Sequence, residues 1–219
     1  MLKIEQTVLP SPEQWEIIIE GMRNPMNSWH KSDSSISPYE DEDGWHSEEF
    51  LMGAADYKLM TQLASGGAVH AKYRRMIPVF LTVNAPLYWW KEFDTYKVGT
   101  VANSCSTMHK IHEKEISIED FSCEHLNRNS MVVLMATIET INMERGNYLF
   151  TGNKDAWWQM IQLLPSSYNQ KRTVMLNYEV LSNIYHSRKN HKLDEWHTFC
   201  DWIRKLPYGE FITGEYDGN

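Results

Sequence analysis

Cysteine is scarce in this chain: there are three in 219 residues, Cys105, Cys123 and Cys200. An odd number at unrelated spacings argues against a disulfide framework and predicts reduced thiols inside a cell. Basic residues are also short, 21 Lys and Arg against 29 Asp and Glu, for a formal net charge of −8. A sequence-independent nucleic-acid binder needs a basic face, so no nucleic-acid partner is expected. A few local cations can still hold the phosphate of a small molecule. No apolar run approaches the roughly 18 residues of a membrane span, and the first residues lack the apolar core of a signal peptide. A cytoplasmic protein with no membrane partner is expected. Aromatic residues, by contrast, are plentiful: nine Trp and a 42% hydrophobic share supply a core. A single α+β domain over residues 1–219 is the expectation.

Pro10-Ser11-Pro12 ahead of an acidic first turn predicts a helix over about 13–21. Residues 24–49 are rich in Ser, Pro and acid around Tyr39-Glu-Asp-Glu-Asp-Gly44, and read as a long loop. A helix is predicted over 56–64, ending at Gly66-Gly67. Ile77, Val79, Leu81 and Val83 alternate, which predicts a strand over 76–84, with Pro78 at an edge or at the strand start. Pro86 opens an aromatic helix, 87–93, and a Ser/Thr-rich loop follows at 98–107. Further helices are predicted over 131–144, 155–164, 172–187 and 193–205. Helices dominate, with too few clear strands for a doubly wound parallel sheet.

The stretch from Asn177 to Arg188 carries the most information. Read as one helix at about 100° per residue, it returns Arg188 to within roughly 20° of Asn177, on the side of Val174, Leu181, Ile184 and Tyr185. A buried amide or guanidinium needs partners, because an unpaired polar group away from water costs about 1–3 kcal/mol. The fold or a ligand must supply them. Other chemistry is less well founded. His109, His112 and His125 lack the further ligands that a metal site needs, so no metal is expected. Cys105 has only His109 nearby to activate it and reads as an incidental thiol. Tyr88, Trp89, Trp90 and Phe93 read as core or subunit interface.

Three blocks, in order, resemble the flavin-dependent thymidylate synthases, the ThyX family. The first is Leu59–Gly67 with the strand after it and Asn84-Ala-Pro-Leu-Tyr-Trp-Trp90. The second is Thr95-Tyr-Lys97-Val-Gly-Thr100 through Ser106, which falls where the family carries Arg-His-Arg and then a Ser-x-Arg-Tyr element. The third is Asn177, Leu181, Asn183 and Arg188, which repeat the family's spacing. The middle block departs from the pattern: Thr95-Tyr96-Lys97 keeps one cation of three, and Ser106-Thr-Met-His109 lacks the Arg. The Gly-His histidine is missing, with His70 beyond it.

The resemblance implies a ThyX-like fold, helices on a small mostly antiparallel sheet, assembled as a homotetramer with sites between subunits. It implies reductive methylation of dUMP to dTMP with methylenetetrahydrofolate and NADPH as co-substrates and FAD as cofactor. Arg188, Lys97, Ser104 and Ser106 then fall to the pyrimidine nucleotide, and Asn177, Asn183, His70 and Thr100 to the flavin; no catalytic residue is singled out. The alternative is a non-catalytic or substrate-reassigned protein of the same fold that has lost the Arg-His-Arg motif.

Overall fold

Ser11 begins the first helix with a full capping box: its hydroxyl accepts from Gln14 N, while the Gln14 side chain accepts from Ser11 N. The computed structural model describes residues 1–40 and 46–216. In chain order the elements are β1 (Lys3–Val8), α1 (Pro12–Arg23), β2 (Ser35–Glu40), β3 (His46–Leu51), α2 (Ala54–Ser65), β4 (Pro78–Pro86) and α3 (Leu87–Phe93). Then come β5 (Val101–Ser104), α4 (Thr107–Lys110), α5 (Arg128–Thr151), α6 (Lys154–Leu163), β6 (Asn169–Asn177), α7 (Tyr178–Arg188), α8 (Asp194–Arg204) and α9 (Glu210–Thr213). The chain divides into two compact units, one of residues 1–6, 82–95 and 102–174, the other of 7–81, 96–101 and 175–219.

The architecture is α+β, helices with a small antiparallel sheet. Its strands lie in the order β1-β4-β6-β5. In the first unit, Leu87 N donates to Tyr168 O at 3.0 Å, and the hydroxyls of Thr82 and Thr173 meet at 3.1 Å across β4 and β6. Pro78 is the first residue of β4, where its missing N–H disturbs the ladder least; β4 itself is internal, not an edge. Trp89, Trp90 and Phe93 of α3 are buried and mutually packed, ring centroids 4.8–5.3 Å apart, so the core reading of these aromatics holds. The Arg172 guanidinium lies 4.4 Å from the Trp90 ring and binds Asp94 at 2.8 Å. Beneath α5, Leu134, Ile138 and Ile141 pack with Ile111, Ile116, Phe121 and Met160. The helix expected to end near Glu144 runs through Gly146 to Thr151, stopping where Gly152 turns left-handed at φ 66°.

In the second unit, residues 24–49 are not one long loop. Two short 3-10 turns, Asn24–Met26 and Trp29–Lys31, lead into a β2–β3 hairpin with Ile36 opposite Phe50 and Tyr39 opposite Ser47. The apolar pattern here is sparse, yet Phe50 is buried and stacks on Trp15 of α1 at 5.6 Å. The centre of the acidic stretch, 41–45, lies outside the described residues. A buried ion pair anchors the hairpin's approach. Arg23 Nε donates to Asp56 Oδ1 at 2.5 Å, while Asp56 Oδ2 accepts from the Ser32 and Ser34 hydroxyls and from Asp33 N and Ser34 N at 2.8–3.0 Å. Asp33 reciprocates, accepting from Ala55 N and Asp56 N at the start of α2. Burial opposes the Asp56 charge, but the bonds from Ser34, Ser32, Arg23 and Asp33 outweigh it and hold the carboxyl below its ordinary pKa.

Candidate functional site

Residues 172–177 are strand, not the opening turns of a helix. Asn169–Asn177 forms β6, with Gln170, Val174 and Leu176 buried, and α7 begins only at Tyr178. Asn177 has extended backbone, φ −139° and ψ 171°, and its Oδ1 accepts from Val180 N at 3.1 Å as the N-cap. The helical-wheel coincidence of Asn177 with Arg188 therefore does not hold, since one of the two is outside the helix. Asn183 lies on the exposed side of α7. The fold employs the Asn177 amide as a cap, which answers half of the question raised by the sequence.

Arg188, the last residue of α7, is half-buried and held by two aromatic rings of its own unit. Its Nε donates to the Tyr96 hydroxyl at 2.8 Å. Its guanidinium carbon lies 4.9 Å from the Trp196 ring centre and 5.6 Å from that of Tyr96, both within reach of a cation–π attraction. Trp196 sits in the first turn of α8, is fully buried, and meets the rings of Tyr96, His191 and Phe199 edge-on at 6.0–6.3 Å. The 96–100 segment thus meets α7 at one end through Tyr96. It meets the other end through Gly99: at φ +80°, a Cβ there would stand 3.1 Å from Val180 Cγ2 and 3.3 Å from Asn177 Nδ2. Thr100 Oγ1 is buried beside this contact without a hydrogen-bond partner.

The structure thus brings residues 96–100 of the middle block beside the two ends of α7. Lys97 is exposed. His70 is exposed on another cavity of the second unit, about 410 Å³, with Gly21, Met22, Leu63 and Tyr73. Ser104 and Ser106 belong to the first unit and are exposed; Ser106 lines a cavity of about 310 Å³ with Cys105, Lys110, Lys114 and Tyr168. Tyr96 and Trp196 are the residues that sequence reasoning missed. Tyr96 was visible only as a departure from a family motif, and nothing local links Trp196 to Arg188.

Beyond Arg188 a second polar group surrounds Tyr185. Its hydroxyl donates to Glu215 at 2.7 Å, while Lys189 and Arg204 lie over its ring at 5.3 and 5.0 Å. Burial, then the bond to Glu215, pushes this phenol up to about 12. Burial likewise pushes the Cys200 thiol up to about 11, which removes it as a nucleophile near neutral pH. Among the described residues no group of three His, Cys, Asp or Glu side chains can hold a metal ion, and no helix is long and apolar enough to cross a membrane.

No protein-family model matches the chain, and no curated protein matches its sequence. Solved structures do match in fold. A flavin-dependent thymidylate synthase ThyX from Helicobacter pylori, complexed with FAD and dUMP, superimposes with a TM-score of 0.60 at 15% identity, over 96% of this chain and 95% of that one. A UMP/dUMP methylase PolB from Streptomyces cacaoi, bound with 5-Br UMP, gives 0.59 at 10% identity, over 98% and 94%. The fold is ThyX-like.

Proposed function

We propose that this chain binds a uridine nucleotide, dUMP in the first instance, and takes part in its reductive methylation at the base. Methylenetetrahydrofolate would be the one-carbon donor and NADPH the reductant. The observation that supports this reading best is the Tyr96–Arg188–Trp196 group. It places a rigidly held guanidinium at the motif position that resembles the nucleotide-binding Arg of the ThyX family, on a fold shared with two proteins that act on or bind such nucleotides. Arg188 presents a planar fork of N–H donors, a match for the carbonyl and ring-nitrogen edge of a pyrimidine. Lys97 and the exposed hydroxyls of Ser104 and Ser106 are the groups offered to phosphate.

The residues around Gly99 fit the ring end of a flavin. The Asn177 amide nitrogen packs against Gly99, where a Cβ would stand 3.3 Å from it, and the buried, unpartnered Thr100 hydroxyl follows in sequence. Asn183 completes the proposed flavin set; His70, on a separate cavity, is assigned to it by the resemblance alone. FAD, when bound, supplies the redox chemistry; the residues named here orient rings and hold charge. A homotetramer goes with this reading. It is supported by α5, which exposes Val132, Val133, Met135, Met143, Leu149 and Phe150, the last at 92%. Apolar surface of that extent marks an interaction site.

A second reading follows from Thr95-Tyr96-Lys97: the same fold acting on another pyrimidine nucleotide, or binding one without turnover. Purified protein should be titrated with FAD and dUMP and followed by visible absorbance and calorimetry. Retained flavin bands and saturable dUMP binding support the enzyme. Nucleotide binding without flavin supports the second reading, and binding of neither sinks both.

A further inference from the structure

We infer that the second unit carries a separate binding site for a small alkyl polyamine, in the cavity between the start of α1 and the β2–β3 hairpin. The cavity holds about 570 Å³, a size that suits a small molecule. None of the residues assigned to the nucleotide or the flavin lines it. Its walls are of two kinds: Trp15, Tyr39, Phe50 and Tyr208 supply aromatic rings, and Glu48 and Glu49 supply carboxylates. Among the described residues that line it, none is Lys, Arg or His.

Trp15 and Phe50 are buried and stack at 5.6 Å, and Tyr208 meets Trp15 edge-on at 5.3 Å and stacks with Phe211 at 5.9 Å. Tyr208 has left-handed backbone, φ 55°, which a bulky residue keeps only where its surroundings hold it. The open ring surface belongs to Tyr39, 48% exposed, and to the partly exposed Tyr208. Tyr39 stands opposite Ser47, so it shares a face of the hairpin with Glu49, while Glu48 shares the other with Phe50. Carboxylates therefore reach the cavity from both faces. Burial, then the charges of Glu210 and Glu49, holds the Tyr208 phenol above its ordinary pKa, which places Glu49 near that ring. Neither Glu48 nor Glu49 has an ion-pair partner among the described residues.

The two kinds of wall select the ligand. A bare metal ion gives the rings nothing to hold, and a neutral apolar molecule leaves both carboxylates unused. An alkylamine uses everything present: its methylene stem lies along the rings, and its ammonium is drawn to ring faces and to carboxylates. Two carboxylates on opposite faces match a molecule with more than one ammonium group.

The test titrates the full chain with spermidine by calorimetry at about 0.15 M salt, where distant surface charges are screened. One saturable site per chain is expected. Glu48→Gln with Glu49→Gln should weaken it about tenfold, and Tyr39→Ala about threefold, the loss of one exposed ring. Tyr39→Phe should bind as the unaltered chain does. Glu115→Gln with Glu139→Gln makes the same charge change on exposed residues of the first unit and should alter nothing. Melting midpoints should stay in place throughout, since the altered side chains are exposed. No binding, or binding that both Gln pairs reduce alike, overturns the inference. Binding that ignores Tyr39→Ala, or that magnesium chloride reproduces, reduces the site to a bare acidic patch and also overturns it. A lysine-bearing peptide that binds more tightly through the same residues overturns the small-molecule assignment. Every arm is read without dUMP or FAD, so failure here leaves the nucleotide reading untouched.

Discussion

Arg23 and Arg188 belong to the same unit and are held by opposite means. Arg23 is 3% exposed and ends on a carboxylate, with Ser28 supplying its carbonyl and hydroxyl oxygens to Nη1 at 3.3 and 3.4 Å. Its charge is confined, and its surroundings exist to keep it so. Arg188 is half-buried, and a phenol and an indole face are among its contacts. The difference separates an arginine closed inside the fold from one left partly open to solvent.

The sharpest way to break the comparison is Asp56→Ala. It strands the Arg23 charge in the core and should cost about 3–5 kcal/mol, seen as a large drop in the urea midpoint. Arg188→Ala should leave that midpoint within about 1 kcal/mol of wild type, yet weaken dUMP binding about tenfold or more. A large stability loss with unchanged affinity would make the two arginines alike and end the functional reading. Acid probes the Arg23 side more gently. The Asp56 carboxyl has a lowered pKa in the folded chain, so its contribution is complete above the unfolded value of about 4 and fades as the pH falls below it. Urea midpoints followed downward from neutral pH should therefore drop near that value, and Asp56→Asn should show a smaller acid-induced drop. The smallest effect belongs to Asn177→Ala, which deletes the α7 cap and should cost about 1 kcal/mol. If it also abolishes flavin retention while stability falls only that far, the amide serves both tasks.

Much of the helical framework could be read from local signals. Ser11 with Gln14, the Ile77–Val83 alternation and the acidic first turn of α8 each point to the element that forms. The β6–α7 junction could not, because Asn177 caps a helix whose preceding residues also satisfy a helical pattern; Thr173 and Val174, both β-branched, were the signal for strand. The hairpin was hidden by Ser, Pro and Glu on strands with few buried residues. At the candidate site, the spacing of Asn177, Leu181, Asn183 and Arg188 directed attention to α7. The partner rings could not be inferred, since Tyr96 and Arg188 are 92 positions apart and only the tertiary fold joins them.

The exchange between Asp33 and Asp56 has a consequence for how the chain folds. Gly53, at the N-cap of α2, offers no side chain to the helix, and a Cβ there would stand 2.1 Å from Asp33 Oδ1. The first amides of α2 are instead closed by a residue more than twenty positions upstream. A peptide cut out around residues 50–67 would lack that partner and start its helix late or frayed. In the intact chain, these first amides of α2 gain their protein partner only when the segment before the hairpin has docked, so the start of a short helix reports on the closure of a long loop.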